Sequence, residues 1–541
     1  MSQLPDFKDR IFIRQWLVLK PYRKIMPTDN YYLQLSNKVK MAAYGCQEAL
    51  MLSLYLESEE IDLLWCFLTS YLEDLVSDTN LWNTFVKLHK ALYQKPLPFF
   101  DLEDYYEGEV NWQDIAFLIW YYLNTMQKEK FILASSGFIT TLAHAVFEVL
   151  DEAWEYAPEN NALKPFYSLD DSEDIGFYES RVLMDQIFFN SYLFYPDTQL
   201  ELKNEVEIIF EENKGERHLL SYLNERRDLM VHSLYSRLLA LRAKDWASAI
   251  LPEGHRLAPK IKDMSHKVKG FFFYKGQDQQ NIFLEHIASG KQFALTKKSF
   301  DSHQQLNNLD EIVYIGMVRW DNEWWFSGNF FSSEYDAELV VKERNSVESK
   351  MEVDFLDRQN KALYKVLEKQ ERAFKKFTNG SSLVFLESDK IERFLYDFFD
   401  YYNNSILKLK NKKHLESNLS RKIEYEVSSS FVDEFDNGLV FFNPKSGIEV
   451  AMDVNSAFPS KENPFFDEEL SEQHIIDVII AEGFSTELAL HCVNEYKSRL
   501  PFFDSEKGKL ILNNLDFLLR FGKGEYYFSY PSVTLVGDNK S

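Results

Sequence analysis

Only three cysteines occur in 541 residues, and Cys46, Cys66 and Cys492 lie far apart. An odd, unclustered set supplies neither a disulfide framework nor four zinc ligands, so reduced, buried thiols in a cytoplasmic protein are expected. Glycine and proline are scarce, at 19 and 15, and disorder is a poor reading for most of the chain. Long apolar runs are missing as well. The most apolar stretch, "IAFLIWYYLNTM" from Ile115, falls short of the roughly 20 residues that span a bilayer, and the opening "MSQLPDFKDRIF" has no signal-peptide core. Basic residues are in deficit, 60 Lys and Arg against 85 Asp and Glu, for a net charge of −25. Such a field repels phosphate backbones and anionic lipid, which disfavours nucleic acid and membrane and leaves a protein as the expected partner. The chain also lacks a P-loop, a G-x-G-x-x-G, a G-x-S-x-G and an H-E-x-x-H. The balance therefore leans away from an enzyme, and no cofactor is expected.

Aromatic residues, by contrast, are plentiful at 16%, and each buries a large area, so well-filled cores are affordable. The length calls for two to four domains. We expect a multidomain α+β chain: an all-α helical array over 1–250, a small SH3/OB-like β-barrel over 262–340 and an α+β domain over 343–541.

From about Thr28 to Ala249 the apolar period is helical. Tyr32, Leu35, Val39, Ala42, Cys46 and Leu50 form one stripe, with Thr28, Asp29 and Asn30 as cap candidates. Ile61, Leu64, Leu68, Tyr71 and Leu75 form the next, and Asn111 can cap a helix carrying Ile115, Leu118, Ile119, Tyr122 and Met126. Further helices are expected near 136–155, 179–193 and 216–249, around a polar insertion at 157–175. "LPEGHRLAPK" (251–260) breaks the helical pattern. The period then changes to two, and about five strands follow with turns at Ser289-Gly290 and Asp321-Asn322. Closure into a barrel would remove exposed edges. Beyond Glu343 we expect a charged helix to about Lys376 closed by "TNG", a strand in "SSLVFLES", a helix through "DKIERFLYDFFDYY" and a hairpin turning at Lys445-Ser446-Gly447. Two helices split by Gly483 follow, the second capped by Ser485.

Three patterns carry candidate chemistry. In "GMVRWDNEWWFSG" (316–328) a two-residue turn pairs Trp320 with Glu323 and Arg319 with Trp324. Val313, Ile315, Met317, Trp324, Phe326 and Phe330 then face the barrel interior, while Ile312, Tyr314, Val318, Trp320 and Trp325 face outward. Arg319 over Trp324 would make a cation–π pair, and Arg319, Trp320, Trp324 and Trp325 are the candidate ligand or partner surface. The acidic run at 99–114 offers Asp101, Glu103, Asp104 and Glu107 as metal ligands for a hydrolase. Its spacing does not fit a calcium loop, and a solvated loop is the plainer expectation. A third alternative is nucleic-acid binding through the barrel by Lys291, Lys297, Lys298 and Arg319. The basic stretch 407–422 could touch an acidic partner. Elsewhere the histidines look isolated: His144 and His232 are read as lone core or surface residues, and Glu472/His474 and His491/Cys492 diverge on their helices.

Several segments, "IRQWLVLKPYRKIMPTDNYYLQLSNKV", "DYYEGEVNWQDIAFLIWYYLNT", "GMVRWDNEWWFSG", "FFNPKSGIEVAMDV" and "NLDFLLRFGKGEYYFSYPSVTL", resemble an uncharacterised bacterial family of Bacteroidetes type, catalogued only as a domain of unknown function. The barrel segment is also similar to a module that accompanies SEC-C zinc proteins, but no cysteine cluster is present to hold that zinc. The resemblance implies a bacterial cytoplasmic protein and brings no activity or catalytic residues.

Overall fold

The computed structural model of the protein describes residues 10–127, 130–354, 361–407 and 434–527. The basic stretch 407–422 lies, from residue 408 on, outside the described residues. The chain forms two compact units that part between Leu356 and Asp357.

The first unit opens with a helical array: α1 (Ile13–Val18), α2 (Asp29–Tyr44), α3 (Ser58–Val76), α4 (Leu81–Tyr93), α5 (Trp112–Met126), α6 (Gly137–Trp154), α7 (Phe177–Asn190), α8 (Leu200–Glu212), α9 (Leu219–Ser233), α10 (Ala243–Ile250) and α11 (Leu257–Lys262). Helices α3 and α5 are buried on nearly every side, as helices without a polar face must be. Packed rings fill the space beside them: Phe85 lies 5.0 Å from both Trp82 and Phe117, and Phe99 lies 4.7 Å from Trp120. Asp74, buried at the end of α3, accepts the N–H groups of Leu81 (3.1 Å) and Trp82 (2.7 Å) and the Tyr192 hydroxyl (2.9 Å). It thereby satisfies the free N–H groups of α4, because Asn80 makes no side-chain cap. Asp29 does similar work for the first turns, accepting Trp16 Nε1, the Tyr22 hydroxyl and Met26 N–H.

Three expectations need correction here. The α2 stripe ends early: the helix stops at Tyr44, Cys46 is half-buried and Leu50 is exposed, because the chain turns at Gly45 into a 3₁₀ segment over Gln47–Leu54. The single run 216–249 is two helices, parted where Leu239 and Ala240 take positive φ, and α8 precedes them where no helix is expected. The short helix α11 forms inside the stretch read as a break.

Strands β1 (Val268–Gln277), β2 (Asn281–His286), β3 (Gln292–Thr296), β4 (Ile312–Trp320) and β5 (Glu323–Ser333) close a barrel in the order β1-β2-β3-β5-β4. Closure is made by a parallel contact of Leu295 with Trp324. Asp321 and Asn322 both have positive φ, +48° and +66°, the geometry of a two-residue hairpin turn. Register partners Trp320–Glu323 and Arg319–Trp324 follow. The interior is filled by Val313, Ile315, Met317, Trp324, Phe326 and Phe330 together with residues of the other three strands, so the inward face is as expected. Helices α12 (Ala337–Asn345) and α13 (Val347–Asp354) complete the unit, with Val340 covering Phe273, Ile287 and Ile312.

In the second unit α14 (Lys361–Phe377) and α15 (Ser388–Tyr401) pack on an antiparallel sheet β6 (Leu383–Glu387), β7 (Asn437–Asn443), β8 (Gly447–Met452). Asn379 and Gly380 end α14 with positive φ, as "TNG" predicts, and Ser485 Oγ accepts the Leu488 N–H at 3.0 Å at the start of Thr486–Tyr496. Among the described residues no helix is long and apolar enough to cross a membrane.

Candidate functional site

A buried polar cluster of the first unit lies where α7 and α9 meet strand β5. Opposite Gly316 the ladder slips: Ile315 pairs with Phe330 and Met317 with Phe326. Three residues, Ser327, Gly328 and Asn329, therefore bulge from β5 against one on β4. Such bulges re-aim side chains and recur beside functional sites. The bulge sends Ser327 and Asn329 to helix α9. Ser327 Oγ donates to Asp228 Oδ1 (2.8 Å), and the Asn329 N–H donates to Glu225 (2.8 Å).

Lys267, just before β1, lies between these groups. Its Nζ donates to Glu225 Oε1 (2.5 Å) and Asp228 Oδ2 (2.7 Å), and the side chain is fully enclosed. Arg181 of α7 approaches Asp228 from the other side, Nε and Nη2 each 2.5 Å from Oδ1. Two glycines make room for this. A Cβ on Gly316 would overlap Lys267 Cε, and one on Gly328 (φ +92°) would overlap Glu225 and come within 2.5 Å of Lys267 Nζ.

A serine, a histidine and an aspartate meet here, in an arrangement that differs from a catalytic triad. His232 Nε2 is 3.2 Å from Ser327 Oγ. In a working triad the acid holds the far nitrogen of the histidine; here Nδ1 is buried without a partner, and Asp228 bonds the serine directly. Burial alone would raise the Asp228 carboxyl, yet the charges of Lys267 and Arg181 outweigh it and hold it well below the usual carboxylate range. A carboxylate so stabilised does not take the proton of Ser327. Burial pushes His232 down to about 4, leaving it neutral. The cluster is arranged to hold position rather than to activate a nucleophile.

Above it opens a cleft of about 490 Å³. One face of α7 lines it with Tyr178, Arg181, Val182, Asp185 and Gln186; α9 adds Asn224, Arg227 and Asp228, and β5 adds Phe326–Asn329. Arg227 is clamped side-on by Asp185, with Nε–Oδ1 and Nη2–Oδ2 both at 2.7 Å, and lies over the Phe189 ring.

A family model described as "Protein of unknown function (DUF3843)" matches residues 10–280. The chain belongs to that family. The family's span takes in the helical array and β1, hence Arg181, Arg227, Asp228, His232 and Lys267, and ends before the β5 bulge. No curated protein and no solved structure matches the chain.

In this family member the aromatic hairpin is largely covered. Trp320 is 4% exposed and Trp325 half-buried; α7 covers both, with Phe177 at 6.0 Å from Trp320 and 5.2 Å from Trp325, and Tyr178 at 6.2 Å from Trp325. Trp324 packs edge-on against Phe293 at 5.0 Å. Arg319 is exposed and is anchored through its backbone, whose N–H donates to Ser265 Oγ at 2.8 Å. Asp101, Glu103, Asp104 and Glu107 are exposed, and Glu107 pairs with Lys90. Among the described residues no group of three or more His, Cys, Asp or Glu could hold a metal ion, so these four are not brought together as ligands. Lys298 pairs with Glu323, while Lys297 and Lys291 donate to the backbone oxygens of Asp278 and Val353.

The reading of His232 as unaccompanied is corrected: Asp228 lies one turn before it, at 4.0 Å. The signal was present in the spacing Asp228/His232 on α9 and Arg181/Asp185 on α7. Lys267, Ser327 and the two glycines join only through tertiary contact.

Proposed function

We propose that the protein binds a small polar ligand in the cleft between α7, α9 and the β5 bulge, and performs no chemistry on it. The observation that carries this is the cleft floor, where Asp228, Lys267, Arg181 and Ser327 are locked by mutual ion pairs and hydrogen bonds. A rigid, pre-formed wall of that kind lowers the ordering cost of binding, and the cavity volume falls within the few-hundred-Å³ range of small-molecule sites. This reading stays non-catalytic and takes the cleft, whose edge is Tyr178, as the binding surface in place of Trp320 and Trp325. The buried free thiols of Cys66 and Cys492 support placing this activity in a reducing compartment.

The test is a screen of small polar metabolites by ligand-observed NMR, with hydrogen exchange followed over 178–186, 224–228 and 326–329. A binder should protect those segments and lose affinity when Val182→Trp fills the cleft. Val182 is exposed, so that substitution should leave stability within about 0.5 kcal/mol. A library without a single protecting compound, or one whose binders ignore Val182→Trp, would overturn the proposal.

A further inference from the structure

We infer that the cleft receives an oxyanion, the carboxylate or phosphate group of a small ligand; this rests on the binding role proposed above. The two arginines on its walls share one arrangement. Arg181 spends Nε and Nη2 on Asp228, and Arg227 spends Nε and Nη2 on Asp185. In neither case does Nη1 have a partner among the described residues, and both side chains line the same cleft. Arg227 is further held by the Phe189 ring, 5.3 Å away.

A guanidinium has five N–H donors in a planar fork. When a carboxylate takes the Nε edge side-on, the plane is fixed and the remaining edge keeps its donors. That edge matches the two oxygens of a carboxylate or phosphate. An arginine present only to make an ion pair needs no cavity beside it. Two such residues, each held by an acid that also lines the cleft and unpartnered at Nη1 among the described residues, offer paired N–H edges to an anion.

The local charge agrees. Asp185, Asp228 and Glu225 are balanced by Arg181, Arg227 and Lys267 through the pairs described, so an anion meets a neutral wall although the chain carries −25. The nearby amides of Asn224 and Gln186 offer polar contacts, and the Phe326 and Tyr178 rings offer apolar ones to the rest of the ligand. The site therefore suits a metabolite with an anionic head and a mixed body.

The experiment uses the full chain and three probes at matched ionic strength: inorganic phosphate, succinate and, as reference, chloride. Titration calorimetry and hydrogen exchange over α7 and α9 are the readouts. Saturable binding of phosphate or succinate, with protection of 178–186 and 224–228, is expected. Binding of phosphate alone assigns a phosphoryl ligand, and binding of succinate assigns a carboxylate. Asn224→Asp, which adds a negative charge at an exposed rim position, should weaken either by about tenfold, as should Arg227→Lys, which keeps the charge and loses the planar edge. If neither anion protects the cleft while a neutral or cationic compound does, this inference falls and the binding role stands. If nothing protects it, both fall. Equal affinity in Asn224→Asp also overturns the inference, because the anion would then sit elsewhere.

Discussion

Lys267 Nζ lies 2.7 Å from Asp228 Oδ2 with both side chains essentially out of solvent, an ion pair that ties the entry to the barrel to helix α9. Removing one partner of a buried pair leaves the other charge unpaired, at a cost of about 3–5 kcal/mol. Lys267→Met should therefore lower stability by that amount in denaturant titration. Lys298→Met, which breaks the exposed pair with Glu323, should cost under about 1 kcal/mol. Similar costs for the two would remove Lys267 as a structural tie.

Gly328 and Gly290 both have positive φ, +92° and +72°, but only at Gly328 would a Cβ meet other atoms. Gly290→Ala should cost about 1–2 kcal/mol of backbone strain. Gly328→Ala must also displace Glu225 and Lys267, and a larger loss is expected, with weaker protection of α9 amides in hydrogen exchange. Equal stability of the Gly328→Ala and Gly290→Ala variants would mean that the cluster yields easily.

Two buried groups make stability depend on pH in opposite directions. Burial, against hydrogen bonds from Tyr71 and Asn111, pushes the Asp114 carboxyl up to about 7 from 3.8. Between those values the folded chain holds a proton that the unfolded chain has released, so this group favours folding as pH falls and opposes it above 7. His232 is pushed down to about 4 from 6.5; there the unfolded chain takes the proton first, and stability falls as pH drops from 6.5 to 4. The two largely offset each other in the native protein. Asp114→Asn should expose a steeper acid loss across that window, and His232→Gln should reverse its sign, both read from urea midpoints against pH. Unchanged profiles in both variants would show that neither group titrates as described.

Trp320 is a packing residue of the barrel's outer face, seated on Phe177. Trp320→Ala should cost about 3–5 kcal/mol, the usual range for a buried aromatic. Arg319→Ala, at an exposed position one residue earlier, should stay within about 0.5 kcal/mol. Thermal unfolding of the two variants separates a core role from a surface role directly.

The alternation in "EIVYIGMVRW" and "EWWFSGNFF" set which side chains of β4 and β5 enter the barrel, because successive residues in a strand must face opposite ways. The Asp-Asn pair set the turn, since short polar side chains tolerate positive φ. Helical spacing likewise placed α5, α6 and α15, but the single helix expected from Glu343 to Lys376 is interrupted at Ser346, and the acids of 99–114 offered as ligands are four exposed carboxylates. What periodicity could not supply was the covering of the outer face by Phe177, or the ends of α2 and α9, which depend on turns specified by long-range packing. The cleft lay further still from view. Asp228 and His232 share a helix and were legible as a spacing, but Lys267, Ser327 and Arg181 come from three other segments, more than thirty residues from one another or from Asp228. Only the tertiary fold brings a lysine beside an aspartate at that separation, and only there does the lack of a side chain at Gly316 and Gly328 acquire its reason: the space a Cβ would take is filled by Lys267 and the carboxylates it joins.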